Sequence, residues 1–235
     1  MTTLTNDTLA GRKIAAPGWP ELFAGAAAYA ASFALVAVLL PLIADDAISG
    51  VVGLVVSGLM GMIALAVAAR IRIRGLSAFG FRRASSRQLI VGAALGLAAF
   101  VIGSTAVVVY ALMSGDVQNV QTTYQAGAEG GLMSLMFTLV AGAIITPIGE
   151  EAFFRGVVAN TVLARFGPLV GIIVSAAIFA VAHGINPVMI VAFIVGVLTA
   201  VLFRWSGSIW PGVMLHGVNN ATVFLLPVVS ATVTG

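Results

Sequence analysis

Of the 235 residues, 60% are hydrophobic and 8% are charged, against about 25% charged residues in an ordinary soluble domain. Water cannot solvate such a chain, and apolar runs fill so much of its length that no separate soluble domain fits. The formal net charge of +3 sits in short loops and on no amphipathic or aromatic-interleaved face, which excludes a nucleic-acid surface. With no cysteine in the chain, disulfides, thiolate metal sites and a cysteine nucleophile are excluded as well.

Residues 1–20 form a polar N-terminal tail. Crossing the hydrocarbon core takes about 20 apolar residues, and runs of that kind cover 22–44, 47–69, 89–113, 132–165, 168–183, 187–203 and 208–228, leaving 229–235 as a short C-terminal tail. The first run follows Arg12 and Lys13 but is longer than the roughly 7 to 15 residues of a signal-peptide core, so it is a retained helix. These runs are apolar on every face, whereas barrel strands alternate, so the expected fold is all-α. It is a polytopic membrane bundle of about seven transmembrane helices, one membrane domain over 20–228, with N-terminal helices in 21–131 and the chemistry-bearing helices in 132–228.

Lys and Arg gather on the cytoplasmic side of membrane proteins. The second connection carries Arg70, Arg72, Arg74, Arg82, Arg83 and Arg87, while the first and third carry Asp45, Asp46, Asp116 and Glu129. The expected protein is therefore a multi-pass protein of the cell membrane with its N-terminus in the cytoplasm. Arg165 and Arg204 fall toward the same side.

Ionisable groups inside a membrane cost about 2.5 to 3.5 kcal/mol each even on a lenient scale and mark functional sites. Here they cluster: Glu150, Glu151 and Arg155 follow Pro147 and Gly149 in the fourth run, and the two histidines of the protein, His183 and His216, lie in the fifth and seventh. Glu150 and His183 are each about 25 Å from the turn at 166–168, so they can face each other across that hairpin. If the hairpin projects into the cytoplasm by about 10 Å, His216 shares their depth, in the inner half of the membrane and reachable from the cytoplasm. A spacing of four lets Glu151 reach Arg155 and His216 reach Asn220, and leaves Glu150 pointing elsewhere, free for chemistry. Pro147 with Gly149 predicts a kink that admits water.

A poorly solvated carboxylate can take a proton from water, and histidines can hold a metal or serve an oxyanion, which are the two kinds of help that peptide hydrolysis needs. Glu150, His183 and His216 also make a divalent-metal set drawn from different helices, with zinc the first candidate. Asn220 reads equally well as a site residue and as a tie to a neighbouring helix, with Asn219 the weaker candidate. Phe153, Phe154 and Phe179 read as packing, and Trp205 and Trp210 as interface anchors.

The run Glu150-Glu151-Ala152-Phe153-Phe154-Arg155 fits an EExxxR block, Phe179 to His183 an FxxxH block and His216 to Asn220 an HxxxN block, with Phe193 and Gly196 in a weaker FxxG element. In these blocks the sequence resembles the CPBP family of intramembrane peptidases, the CAAX prenyl protease and bacteriocin-processing (Abi) group. The resemblance implies an intramembrane endopeptidase in which Glu150 activates water, His183 holds the water or a metal, His216 and Asn220 complete the site, and Glu151, which counts among the catalytic residues and in some readings of the family contacts the catalytic centre directly, pairs with the supporting Arg155. It implies membrane lipid and a membrane-associated or lipidated protein or peptide as partners. Some relatives serve in bacteriocin immunity or as scaffolds, and buried Glu and His also form proton relays in transporters; these are the competing readings.

Overall fold

A computed structural model describes residues 16–116 and 121–234, the side chains of 231–234 excepted; most of the expected polar tail lies outside the described residues. All its regular elements are helical. The longer helices are α1 (Trp19–Leu39), α2 (Asp46–Ile71), α3 (Ser86–Ser114), α7 (Asn160–Val181), α8 (Val188–Ser206) and α9 (Trp210–Thr234), and the shorter ones are α4 (Thr122–Glu129), α5 (Leu132–Val140) and α6 (Thr146–Phe153). Six stretches are long and apolar enough to cross a membrane, the longest being Leu132–Val181. Within it Gly167 adopts φ 77°, open to glycine at no steric cost, and Pro168 follows. The rod doubles back there into two arms, so the expected seven spans become six continuous segments with one folded in two. The protein is a multi-pass helical membrane protein.

The helix ends differ from the expected boundaries at both termini. α1 already begins at Trp19, fixed by Glu21, whose carboxylate accepts from the Gly18 amide and pairs with Arg72 at 2.6 Å. That hydrogen bond, and then the charge of Glu21, push the Arg72 guanidinium above its ordinary range. At the other end α9 continues through 229–234 without a separate tail. Asp45 caps α2 through the Ile48 amide, and Ser85 with Gln88 forms a capping box on α3.

The bundle has two chemically distinct ends. Arg72 sits at the end of α2, Arg165 lies 5.9 Å from the ring of Trp19 at the start of α1, and the Ser208 hydroxyl just before α9 donates to the carbonyl of Arg82. These make an arginine end. Asp45 and Asp46 at the start of α2 and Glu129 at the end of α4 lie at the opposite, acidic end, where Gly50 of α2 meets the backbone of Thr123.

Two wide π-helical turns, Ala141–Ile145 and Phe154–Ala159, flank α6, which carries Pro147 and Gly149. Such turns concentrate at functional sites. Gly149 serves a different purpose from bending: a Cβ there would collide with the carbonyl of Gly58, and one on Gly61 would collide with the carbonyl of Gly149. Bare backbones thus let α2 and α6 touch, as small residues do between membrane helices, and the Thr146 hydroxyl donates to Leu54 O at 2.6 Å beside the contact. Gly149→Val should force the helices apart and cost about 1–3 kcal/mol or more. A lowered melting temperature in detergent would show it, and an unchanged one would mean the crossing is looser than described.

Candidate active site

The hairpin brings the expected residues together. Glu150, on α6, lies with Oε2 3.8 Å from His183 Nε2 and 3.9 Å from His216 Nε2. Its other oxygen, Oε1, accepts from the Ser57 hydroxyl of α2 at 2.6 Å. Oε2 is buried and has no hydrogen-bond partner among the described residues. Each imidazole is oriented through its far nitrogen: His183 Nδ1 lies 2.8 Å from Phe179 O and His216 Nδ1 lies 3.3 Å from Glu151 Oε1. Carbonyl and carboxylate oxygens only accept, so Nδ1 carries a proton in both rings, and in the neutral imidazole Nε2 then presents its lone pair.

Glu151 and Arg155 form the expected pair at 3.0 Å, fully buried. The Arg155 Nε–H is aimed at Thr199 Oγ1, 2.7 Å away, and Nη2 contacts the same oxygen, so Glu151 is held by charge more than by an aligned hydrogen bond. The guanidinium also lies 4.5 Å from the ring centre of Phe179, which packs edge-on against both histidines. One ring therefore joins the supporting pair to the reacting groups, while Phe153 and Phe154 pack in the core as expected.

Asn220 has a structural task. The π turn pairs the Thr146 amide with Ala141 O. In that register Gly142 O would take its hydrogen from residue 147, which is proline and has none. The Asn220 side-chain amide donates to Gly142 O instead, at 2.9 Å, tying α9 to the turn before the glutamates. Asn219 accordingly gains weight: its amide donates to Asn220 Oδ1, its own Oδ1 is buried without a partner among the described residues, and it lines a cavity together with Glu150 and both histidines.

That cavity has a volume of about 500 Å³ and contains Glu150, both histidines, Ser57 and Tyr124 in its wall. Burial, and then the negative charge of Glu150, push the Tyr124 phenol up, so it stays a neutral hydrogen-bond donor. Toward the arginine end the site is closed by Phe79, Phe154, Val158, Phe179 and Leu202, each at most 2% exposed. The remaining wall comes from Val107 and Val108 late in α3, Pro187 and Val188 at the start of α8, and Leu226 and Pro227 late in α9. All of these lie toward the acidic end. A packed aromatic core thus bounds the site toward the arginine end.

The donors expected to hold a metal are the atoms that converge here. Ligands about 2.0–2.1 Å from a tetrahedral ion stand about 3.4 Å from one another, against 3.8 and 3.9 Å for the glutamate–histidine separations. Among the described residues no group of three or more His, Asp or Glu side chains is arranged to hold a metal ion. As they stand, these residues do not fit a preformed metal centre.

Residues 132–222, which include every glutamate and histidine of the site, match the family model of the type II CAAX prenyl endopeptidase Rce1-like proteins. On this stretch the chain is similar to the CAAX protease (CPBP) family. Neither a curated protein nor a solved structure matches it. That similarity, with the six apolar segments, supports a lipid environment and a protein or peptide substrate. Ser57 and Tyr124 stand outside the matched segment, and sequence reasoning missed them along with Thr199. The one available signal was a hydroxyl in an otherwise apolar helix, Ser57 beside Gly58 and Thr199 three residues after Gly196.

Arg155→Gln should strand the Glu151 carboxylate without a counter-charge and cost about 3–5 kcal/mol. Thr199→Val, which removes only the hydroxyl acceptor, should cost about 1–3 kcal/mol. Melting temperature and folded yield measure both, and a variant that melts like wild type would exclude that residue from the supporting network.

Proposed function

We propose that the protein is an intramembrane endopeptidase that hydrolyses peptide bonds of membrane-associated polypeptides with a water activated by Glu150. The observation that carries this reading is the convergence of three acceptors, a buried Glu150 Oε2 with no hydrogen-bond partner among the described residues and the two imidazole Nε2 atoms that face it. Three acceptors so placed repel one another unless a donor lies among them, and water brings two protons. A water about 2.8 Å from Oε2 and one Nε2 reaches both with its hydrogen bonds bent by only about 10°.

The steps then follow from the groups present. Glu150 takes a proton as the water oxygen adds to the peptide carbonyl carbon, contributing about 10²–10⁴-fold as a general base. The oxyanion so formed is met by amide hydrogen of Asn219 and the phenol of Tyr124, both on the cavity wall. Collapse breaks the C–N bond, and the proton held by Glu150 passes to the departing amine, leaving one acid, one amine and a regenerated carboxylate. Ser57 holds Oε1, so that Oε2 is the oxygen turned to the water. Glu151 fixes the His216 ring and balances Arg155, a positioning role.

The test is cleavage of a panel of membrane peptides by purified protein in nanodiscs, wild type against Glu150→Gln, with and without chelator. Wild type should cleave at a rate indifferent to the chelator, and the variant should fold normally and lose at least about 100-fold. Full activity in the variant would overturn the assignment, and loss of activity on chelation would restore the metal. A wild type that binds the peptides and cleaves none would favour the scaffold reading.

A further inference from the structure

One of the two imidazoles of the site is not carried by a regular helix. The turns of α7 end at Val181, and His183 stands beyond them, on the short turn that leads into α8 at Val188. Its backbone amide donates to Ala180 O, which leaves Phe179 O to the ring Nδ1. Its carbonyl would take a helical hydrogen from residue 187, which is proline and has none. The side chain of Asn186 supplies that hydrogen instead, Nδ2 donating to His183 O at 2.9 Å.

The same side chain is fixed at its other end. Asn186 Oδ1 accepts from the Val188 amide at 2.9 Å, and Asn186 O accepts from the Met189 amide at 3.0 Å. Pro187 already has helical dihedral angles, so Asn186 caps α8 from just before a proline in the first turn. Gly184, at φ 85°, lets the chain reverse above it, and a Cβ there would come within 3.0 Å of Asn186 Nδ2. A carbonyl only accepts and a backbone N–H only donates, so this position needs one donor and one acceptor at the reach of a short amide. Aspartate offers no donor, and an apolar side chain offers neither.

His183 Nε2 lies 3.8 Å from Glu150 Oε2, and the backbone from which that ring hangs is tied to α8 through Asn186. Among the described residues the cavity wall includes His183, Pro187 and Val188 and skips Asn186. We infer that Asn186 is a positioning residue: it locks the His183 carbonyl to the start of α8, so that the ring stays between Phe179 O and Glu150, and it acts on the reaction without touching the substrate. Its effect on cleavage rests on the endopeptidase reading. Its effect on the ring does not.

Asn186→Asp separates the two tasks of the side chain. It keeps an acceptor for the Val188 amide, and its charge suits the start of a helix, but it gives His183 O no hydrogen. In nanodiscs this variant should melt close to wild type and cleave membrane peptides with kcat lowered about 10- to 100-fold at a nearly unchanged KM. Asn186→Ala, which loses the cap as well, should cleave as poorly and melt lower. An unchanged kcat in Asn186→Asp, or cleavage that falls only in step with melting temperature across the two variants, would overturn the positioning role. A second arm needs no substrate. The chain has two histidines, so nitrogen NMR of the imidazoles resolves them one by one, with His183→Gln giving the assignment. In Asn186→Asp the His183 ring alone should lose its preference for a proton on Nδ1, while His216 keeps its own. Two unchanged rings, or two equally altered ones, would overturn the proposal. A wild type that cleaves nothing, with the His183 ring still selectively altered in Asn186→Asp, would sink the endopeptidase reading and leave the tether standing.

Discussion

A guanidinium buried in the middle of a membrane bundle must be paired, and the arrangement of the site follows from how Arg155 is satisfied. Glu151 supplies the opposite charge one helical turn away, Thr199 of α8 supplies the aligned acceptor, and Phe179 of α7 offers its ring face. Three segments are thereby fixed around one charge. The same Glu151 orients His216 of α9, and the same Phe179 offers its carbonyl to His183 and its ring to both histidines. An ion pair of this kind contributes little net stability compared with an apolar replacement. What it contributes here is position, since the groups that neutralise the arginine are the ones that aim both imidazoles at Glu150.

The N-terminal helices complete the site instead of merely surrounding it. α2 crosses α6 so closely at Gly58, Gly61 and Gly149 that no side chain fits between them, and this approach is what lets the short Ser57 hydroxyl reach Glu150. The short α4 lays Tyr124 over the same cavity. Assigning both carboxylate oxygens distinct fates, one bonded to Ser57 and one bare, is the result of this packing, and a carboxylate with one free oxygen is what general-base chemistry needs.

Much of this was legible in the sequence because it depends on spacing. The hairpin at 166–168 places Glu150 and His183 at matching distances along its arms, and the four-residue step joins Glu151 to Arg155; both relations survive in the structure. Asn220 was legible as a residue but not in its task, because the donor it replaces is missing only once a π turn changes the hydrogen-bond register ahead of Pro147. Ser57 and Thr199 carry too weak a signal, one hydroxyl each among apolar neighbours. The wall of the cavity was not legible from loop charges, because it is set by where the aromatic core of Phe79, Phe154 and Phe179 packs. Residues 1–15 and 117–120 lie outside the described residues.

The central claim, that Glu150 and two imidazole lone pairs surround a water, is tested most directly by a high-resolution experimental structure of the wild-type protein in nanodiscs. The account predicts one ordered peak beside Glu150 Oε2 and the two Nε2 atoms, about 2.6–3.0 Å from its nearest partners. A peak about 2.0–2.2 Å from all three would be a metal ion, and a Glu150 turned away to bond a protein donor, with no peak between the side chains, would contradict the arrangement itself.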